Sequence, residues 1–139
     1  MSNRSFESIE VGESLGPREI FLAKDRSRSY ALMAGMNSPR FTDDEGARKE
    51  GLPGMIVPGN MSSGLLGKLV ADWAKTVGGR LARMGVTYRA PVLPDHTITL
   101  QGFVTQTDAA ARTADVDIWL ENEDSERLVI GTATVKFPE

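Results

Sequence analysis

The chain carries one imidazole and no thiol, so the groups able to move protons or attack a carbonyl are few. His96 follows Pro94-Asp95 at the start of a strand-like run and reads as a strand-end residue at the surface. One His excludes a His-rich metal site and any two-His mechanism within one chain, and no carboxylate metal motif is present. Without Cys there is no disulfide, no thiolate nucleophile and no thiolate-held metal. Ser62 and Ser63 have no nearby His or Lys to activate them. Asp43, Asp44 and Glu45 suit the positive end of a short helix and read as capping charge. Arg40 can bind a carboxylate or phosphate, but it stays protonated and makes a poor base. Together with Asn37, Ser38, Asn60, Ser62 and Ser63 it could line a polar pocket. No metal and no cofactor is expected.

These residues cluster around one stretch, Gly51 to Trp73 (GLPGMIVPGNMSSGLLGKLVADW), which starts as a Gly- and Pro-rich loop and ends as a long helix. Met61, Leu65, Leu66, Leu69, Val70 and Trp73 recur at spacings of three and four, the signature of one buried helical face. Gly64 and Gly67 each cost about 1 kcal/mol against Ala in a free helix, so the surroundings are expected to grip this one. Asn60 is the expected helix cap.

The remaining elements fall on both sides of it. Residues 1–16 form an extended leading segment with Phe6, Ile9 and Val11 as sparse anchors. Arg18–Leu22 reads as a strand. A helix capped by Asp25 or Ser27 runs to about Ala34 and ends at Gly35, and a second, from Asp44 to about Glu50, is capped by Thr42 or Asp43. After a break at Val77-Gly78-Gly79, four strand-like runs follow: Arg80–Arg89, Thr97–Thr107, Thr113–Glu121 and Leu128–Phe137. Alternation is clearest in the third, with Ala114, Val116, Ile118 and Leu120 on one face and Asp115, Asp117 and Trp119 on the other. Trp119, on the polar-facing side, suggests a subunit contact.

With 139 residues, the chain 1–139 reads as a single domain large enough to bury a core. Sixteen basic and nineteen acidic residues give a net charge of −3, which argues against a nucleic-acid partner. The polar N-terminus lacks a signal core and no apolar run is long enough to span a membrane, so no membrane partner is expected and the expected location is cytoplasmic. Strand, two short helices, long helix and four strands make an α+β domain, an antiparallel sheet wrapped around one central helix.

Residues 35–61, GMNSPRFTDDEGARKEGLPGMIVPGNM, resemble the MaoC-like hydratase/dehydratase family of hotdog proteins. Its loop reads roughly Gly-Asp-x-Asn-Pro-x-His-x-Asp, then a short helix, a Gly-rich loop and Ile-x-His-Gly-Met. Gly35, Pro39, Thr42, Asp43, Glu45, Ala47, Gly51, Ile56 and Gly59 fall in register. Further on, VTYRAPVLPDHTITLQGFV is similar to the family's strand–turn–strand. The resemblance aligns the family's catalytic Asp with Met36, its catalytic His with Phe41, and the His before the helix glycine with Pro58. The family's Asp and His activate a water that adds to a 2-enoyl thioester, and the glycine N–H polarises the carbonyl. Gly59 keeps that donor, while Met and Phe move no proton.

The resemblance therefore implies a hotdog acyl dehydratase or enoyl-thioester hydratase homologue, a lyase type, with a substituted site. Asn37, Arg40 and Gly59 are the candidate catalytic groups. Met36, Phe41, Pro58, Asn60 and Ser63 are the candidate substrate contacts. The alternatives are a non-catalytic partner subunit of a heteromeric dehydratase and a hotdog protein repurposed for another hydrophobic ligand. A thioesterase ranks below these, because Asp72 is the only acidic residue between Gly59 and Trp73. The implied partners are an acyl thioester, acyl-CoA or similar hydrophobic small molecule and a second hotdog chain, as homodimer or heteromer.

Overall fold

Alternation and burial agree along Thr113–Glu121 and most of His96–Asp108, while bulges interrupt the alternation in the other strands. In this computed structural model, which describes residues 4–139, the elements run β1 (Ser14–Leu22), α1 (Lys24–Met33), α2 (Asp44–Lys49), α3 (Gly59–Thr76), β2 (Arg80–Tyr88), β3 (His96–Asp108), β4 (Thr113–Glu121) and β5 (Arg127–Lys136). The first three residues of the expected leading segment lie outside the described residues. Two single 3-10 turns, Phe6–Ser8 and Pro39–Phe41, fill gaps between elements. The strands form one antiparallel sheet in the order β1-β3-β4-β5-β2.

The sheet exists to cover α3. Leu66, Leu69, Val70, Trp73 and Ala74 form its buried stripe, and they pack against the inward residues Leu100, Val104, Val116, Ile118, Val129 and Val135. Each large apolar side chain buried here contributes about 1.5–3 kcal/mol, so this contact dominates the stability of the domain. The indole of Trp73 donates from Nε1 to Glu13 at 2.9 Å, tying the far half of α3 to the segment that leads into β1. β1 itself bends between Leu15 and Arg18, where Gly16 has φ +81° and an added Cβ would lie 2.7 Å from the Leu100 carbonyl oxygen. Only glycine fits that bulge.

Three expectations about the helices need correction. Gly67 does meet the Met84 side chain, at 3.6 Å for an added Cβ, but Gly64 faces open space, so of these two glycines only Gly67 is approached by its surroundings. Asn60 does not cap α3. Pro58 holds that position and its carbonyl accepts from Met61 and Ser62, which leaves Asn60 exposed inside the first turn. Neither Asp25 nor Ser27 caps α1. The helix starts at Lys24, whose N–H donates to the Asp95 carboxylate at 2.8 Å, so its cap comes from the loop before β3. Asp43 caps α2 as expected, accepting from Gly46 N at 2.9 Å. Trp119 is half-buried on the outer face of the sheet, with the Arg127 guanidinium 3.9 Å above its ring and its Nε1 donating to Glu121.

The two ends of the described chain meet at Arg112. Its guanidinium donates to Glu7 at 2.8 Å and to the Pro138 carbonyl at 3.1 Å, and lies 4.5 Å over the Phe6 ring, which packs edge-on against Phe137. The Arg112 hydrogen bond, with smaller help from a backbone N–H, pushes the Glu7 carboxyl down from 4.5 to about 2.

A carboxyl whose folded pKa is depressed stabilises the fold above its unfolded pKa and loses that contribution as pH falls through the folded one. Glu7→Gln is therefore expected to lower Tm slightly at pH 7, with the gap to wild type closing between about pH 4.5 and pH 2 in a melting series. High salt narrows the gap at every pH, because the pair is exposed.

Asp95 combines a cap with a left-handed backbone, φ 63°. Asp95→Ala is expected to cost about 1–3 kcal/mol in urea denaturation, from the lost cap and the strain of Ala at positive φ. Asp95→Asn, which keeps an acceptor and tolerates that backbone, loses much less.

Candidate functional site

α3 begins at the margin of the sheet, and the chain arrives there through a loop fixed on three sides. Met55 N–H donates to Asp44 at 2.9 Å, Ile56 N–H to the Arg40 carbonyl at 2.8 Å, and Val57 N–H to the Val92 carbonyl at 2.8 Å. Asp44 is held below the usual carboxylate range mainly by its bond from Lys24, 2.8 Å away, and then by the Met55 N–H. Arg28 of α1 adds a bond from Nε to the Thr42 carbonyl at 2.9 Å. Asp43 and Asp44 are thus structural, Asp43 capping α2 and Asp44 pinning the loop that positions α3, while Glu45 lies in the first turn of α2.

The first residues of an α-helix have N–H groups with no intrahelical acceptor, and the aligned peptide dipoles make that end positive. At α3 these groups belong to Gly59 and Asn60, and the first turn contains no acidic residue to neutralise them. A pocket of about 340 Å³ opens beside this helix end. Phe41, Ile56 and Val57 form one wall, and Ala90, Pro91 and Val92 another. Gly59 and Ser62 come from α3, while Tyr88 and Arg89 come from the end of β2.

Tyr88 explains why position 59 is glycine in this structure. Its hydroxyl donates to the Gly59 carbonyl at 2.9 Å, and a Cβ on Gly59 would lie 3.0 Å from the phenol ring. A side chain there would push the ring off the helix. Ser62 is buried, 1% exposed, and its Oγ has no hydrogen-bond partner. A buried hydroxyl without a partner is costly, which makes this oxygen the unsatisfied polar atom of the pocket.

Among the ten described residues that line the pocket, none is Asp, Glu or His. Of the residues picked from sequence, Gly59, Phe41 and Ser62 meet in it. Pro58 is buried directly behind Gly59 as the residue from which the helix starts. Met36 is half-buried and Asn37 exposed, and neither lines the pocket. Arg40 is exposed and bonded to Glu50 at 2.8 Å. Asn60 is exposed, and Ser63 Oγ donates to the Asn60 carbonyl at 3.2 Å. His96 lies at the start of β3, 2.7 Å from Glu123, and does not line this pocket. No group of three or more His, Asp or Glu gathers among the described residues to hold a metal, and no helix among them is long and apolar enough to cross a membrane.

Ser62, expected among the residues of a polar pocket, does line this one, and it sits four before Leu66 on the apolar stripe of α3. Arg89 also lines it and is not singled out by the sequence reading. Arg89 follows the last strand residue of β2, immediately before the Ala-Pro-Val turn.

Solved structures share this fold. An (R)-hydratase from A. caviae involved in PHA biosynthesis is 20% identical, aligned over 95% of this chain and 99% of its own, with TM-score 0.85. The ChsH1-ChsH2 complex from Mycobacterium tuberculosis contributes a chain 21% identical over 93% and 98%, TM-score 0.82. The C-terminally truncated HadBC complex, a 3R-hydroxyacyl-ACP dehydratase from the same organism, gives 16% over 92% and 98%, TM-score 0.74. No curated protein matches the sequence. The family model of the MaoC like domain matches residues 6–124, and with the hotdog sheet and its helix in place the chain belongs to that family.

Proposed function

We propose that this chain is the pocket-shaping member of a MaoC-like hydratase/dehydratase assembly, binding an acyl thioester while a second hotdog chain supplies the acid and base. The observation that carries this reading is the pocket lining. It keeps the electrostatic half of the family's chemistry, the helix N-terminus at Gly59, and contains no carboxylate or imidazole. Hydration of an enoyl thioester needs both a group that polarises the carbonyl and groups that deliver a proton and activate water. Phe41, at the position the family resemblance assigns to the catalytic His, contributes an apolar wall instead. The Gly59 N–H receives the thioester carbonyl, and Phe41 with Val57 and Val92 packs the acyl chain.

A second chain has a natural place to dock. β2 is an edge strand of the sheet, and it ends at Tyr88, in the pocket. A chain extending the sheet along β2, identical or different, lies beside the site. Two of the similar structures bear the names of two-component complexes, ChsH1-ChsH2 and HadBC, which favours a different chain.

A self-sufficient enzyme is the second reading, and Tyr88 is what favours it. Its phenol hydroxyl, half-exposed and 2.9 Å from the Gly59 carbonyl, is a hydrogen-bond donor and acceptor placed beside the helix end. Asn37 and Arg40 would then assist from outside the lining.

Hydration of a 2-enoyl-CoA panel, followed at the enoyl absorbance, separates the two. The wild type alone is expected to be inactive, and Met36→Asp/Phe41→His is expected to gain turnover by a factor of about 100 or more over background. Turnover by the wild type that Tyr88→Phe abolishes would overturn the pocket-shaping reading in favour of the second.

A further inference from the structure

We infer that the outer face of the sheet is an interface between two copies of this chain, packed back to back about a two-fold axis that runs along the strands between β4 and β5. This face is separate from the pocket and from the free edge of β2, so the interface stands independently of the function proposed above.

The strand register lays the face out in rows. In the order β3-β4-β5-β2, one row reads Phe103, Asp117, Thr132, Gly85. The row on one side of it carries Trp119 on β4 and Ile130 on β5, and the row on the other side carries Asp115, Thr134 and Arg83 on β4, β5 and β2. The two halves of the face differ in height. On β3 and β4 stands a ridge, in which Phe103 meets Trp119 edge-on with ring centroids 6.1 Å apart and Arg127 stacks on the indole. On β5 and β2 the corresponding residues are small, and a groove of about 500 Å³ lies over Gly85, Thr132 and Thr134. A Cβ added to Gly85 would meet nothing within 4 Å. Phe103 is 37% exposed, a large ring left in water on a sheet face.

A two-fold axis along the strands between β4 and β5 keeps each row opposite itself, and exchanges β4 with β5 and β3 with β2. It sets Phe103 of one copy over Gly85 of the other, where the backbone is open, and Trp119 over Ile130. The ridge of each copy fills the groove of the other, the self-complementarity that a closed two-fold contact requires. Polar groups match under the same operation. The Asp117 carboxylate comes opposite the Thr132 hydroxyl. Arg83 and Asp117 have no ion-pair or hydrogen-bond partner for their side chains among the described residues, and they lie two strands apart, about 10 Å. Across the axis Arg83 comes over Thr105 on β3, beside the other copy's Asp115 and Asp117. Ridge, groove, cation and carboxylate complement one another within a single patch, which is why the occupant is a second copy rather than a different chain.

The size is adequate. Five strands about 4.8 Å apart and about nine residues long make a face of about 20 by 30 Å, and a stable interface takes about 800 Å² of accessible surface from each partner. Two sheets packed in this way keep their strand directions within about 30° of each other, as an axis along the strands demands.

Sedimentation velocity of the purified chain over a concentration series tests this. The wild type is expected to self-associate in a concentration-dependent step that Phe103→Ser and Gly85→Glu each weaken by a factor of about ten or more. The open space above Gly85 lets a single chain accept the new side chain, and melting curves of both variants check folding. Arg83→Glu is expected to weaken the same step, and adding Asp117→Arg to it to restore association. The chain has no Cys, so introduced thiols report the geometry directly. A mixture of the Phe103→Cys and Gly85→Cys proteins is expected to yield the mixed disulfide-linked pair on oxidation. A monomeric wild type overturns the interface, as does an association that neither Phe103→Ser nor Gly85→Glu weakens. Cross-linking of Gly85→Cys to itself in place of the mixed pair overturns it too, because the copies then meet along the β2 edge.

Discussion

An eighteen-residue helix with one apolar stripe has to be covered, and that requirement organises this domain. Leu66, Leu69, Val70 and Trp73 give up water only if a surface of matching curvature closes over them, and five antiparallel strands supply it. The gain grows with the apolar area removed from water, so the sheet curls toward the helix, and bulges such as the one at Gly16 let it bend. Polar residues are left to the outer face, where Asp115, Asp117 and Trp119 alternate with the core residues of β4.

The same covering leaves a gap at one end. α3 enters the sheet's concave side from its margin, so its first turn is flanked by the end of β2, the Ala90–Val92 turn and the loop before the helix, rather than by strands. Backbone donors and the positive end of the helix dipole therefore face a pocket with apolar walls, where low polarisability strengthens any interaction they make. The pocket requires no dedicated element. It needs only that the flanking loops be held, which Asp44, Lys24 and Arg28 do through bonds to backbone atoms and to one another. A charge-bearing network of this kind fixes loop geometry without placing any carboxylate in the lining.

How much of this the sequence discloses depends on the range of the interaction. Strands β2 to β5 are read to within one residue of their ends, because alternation between two faces is a local signal and burial on one face obeys it. The α3 stripe is legible for the same reason. The caps are not: the carboxylate that caps α1 lies 71 residues away in the chain, so no window around Lys24 contains it. Gly64 reads as gripped because spacing reveals which face a residue occupies, not how close the neighbouring wall comes. Asn60 misleads by composition, being a good capping type one turn-start too late, since the Val57–Val92 pairing sets where the helix begins. Ser62 is legible as a polar lining candidate, but that its hydroxyl lacks a hydrogen-bond partner emerges only from the fold, because absence of a partner is a property of space rather than of sequence.

Stabilising a developing oxyanion and moving a proton are separable tasks, and they place different demands on a chain. Backbone donors at a helix end come with the fold, and removing one such contribution typically costs a factor of about 100 to 1,000 in rate. Acid and base groups must be chosen residue by residue and contribute about 100 to 10,000-fold. A hotdog domain whose pocket lining offers Phe41 and Gly59 but no carboxylate or imidazole thus retains what its architecture provides without cost and lacks what only side-chain identity provides. On the pocket-shaping proposal, binding persists without chemistry, because the covered helix that creates the donors is also what holds the domain together. Changing side chains at the rim alters reactivity while leaving that helix, and the affinity built on its first turn, in place.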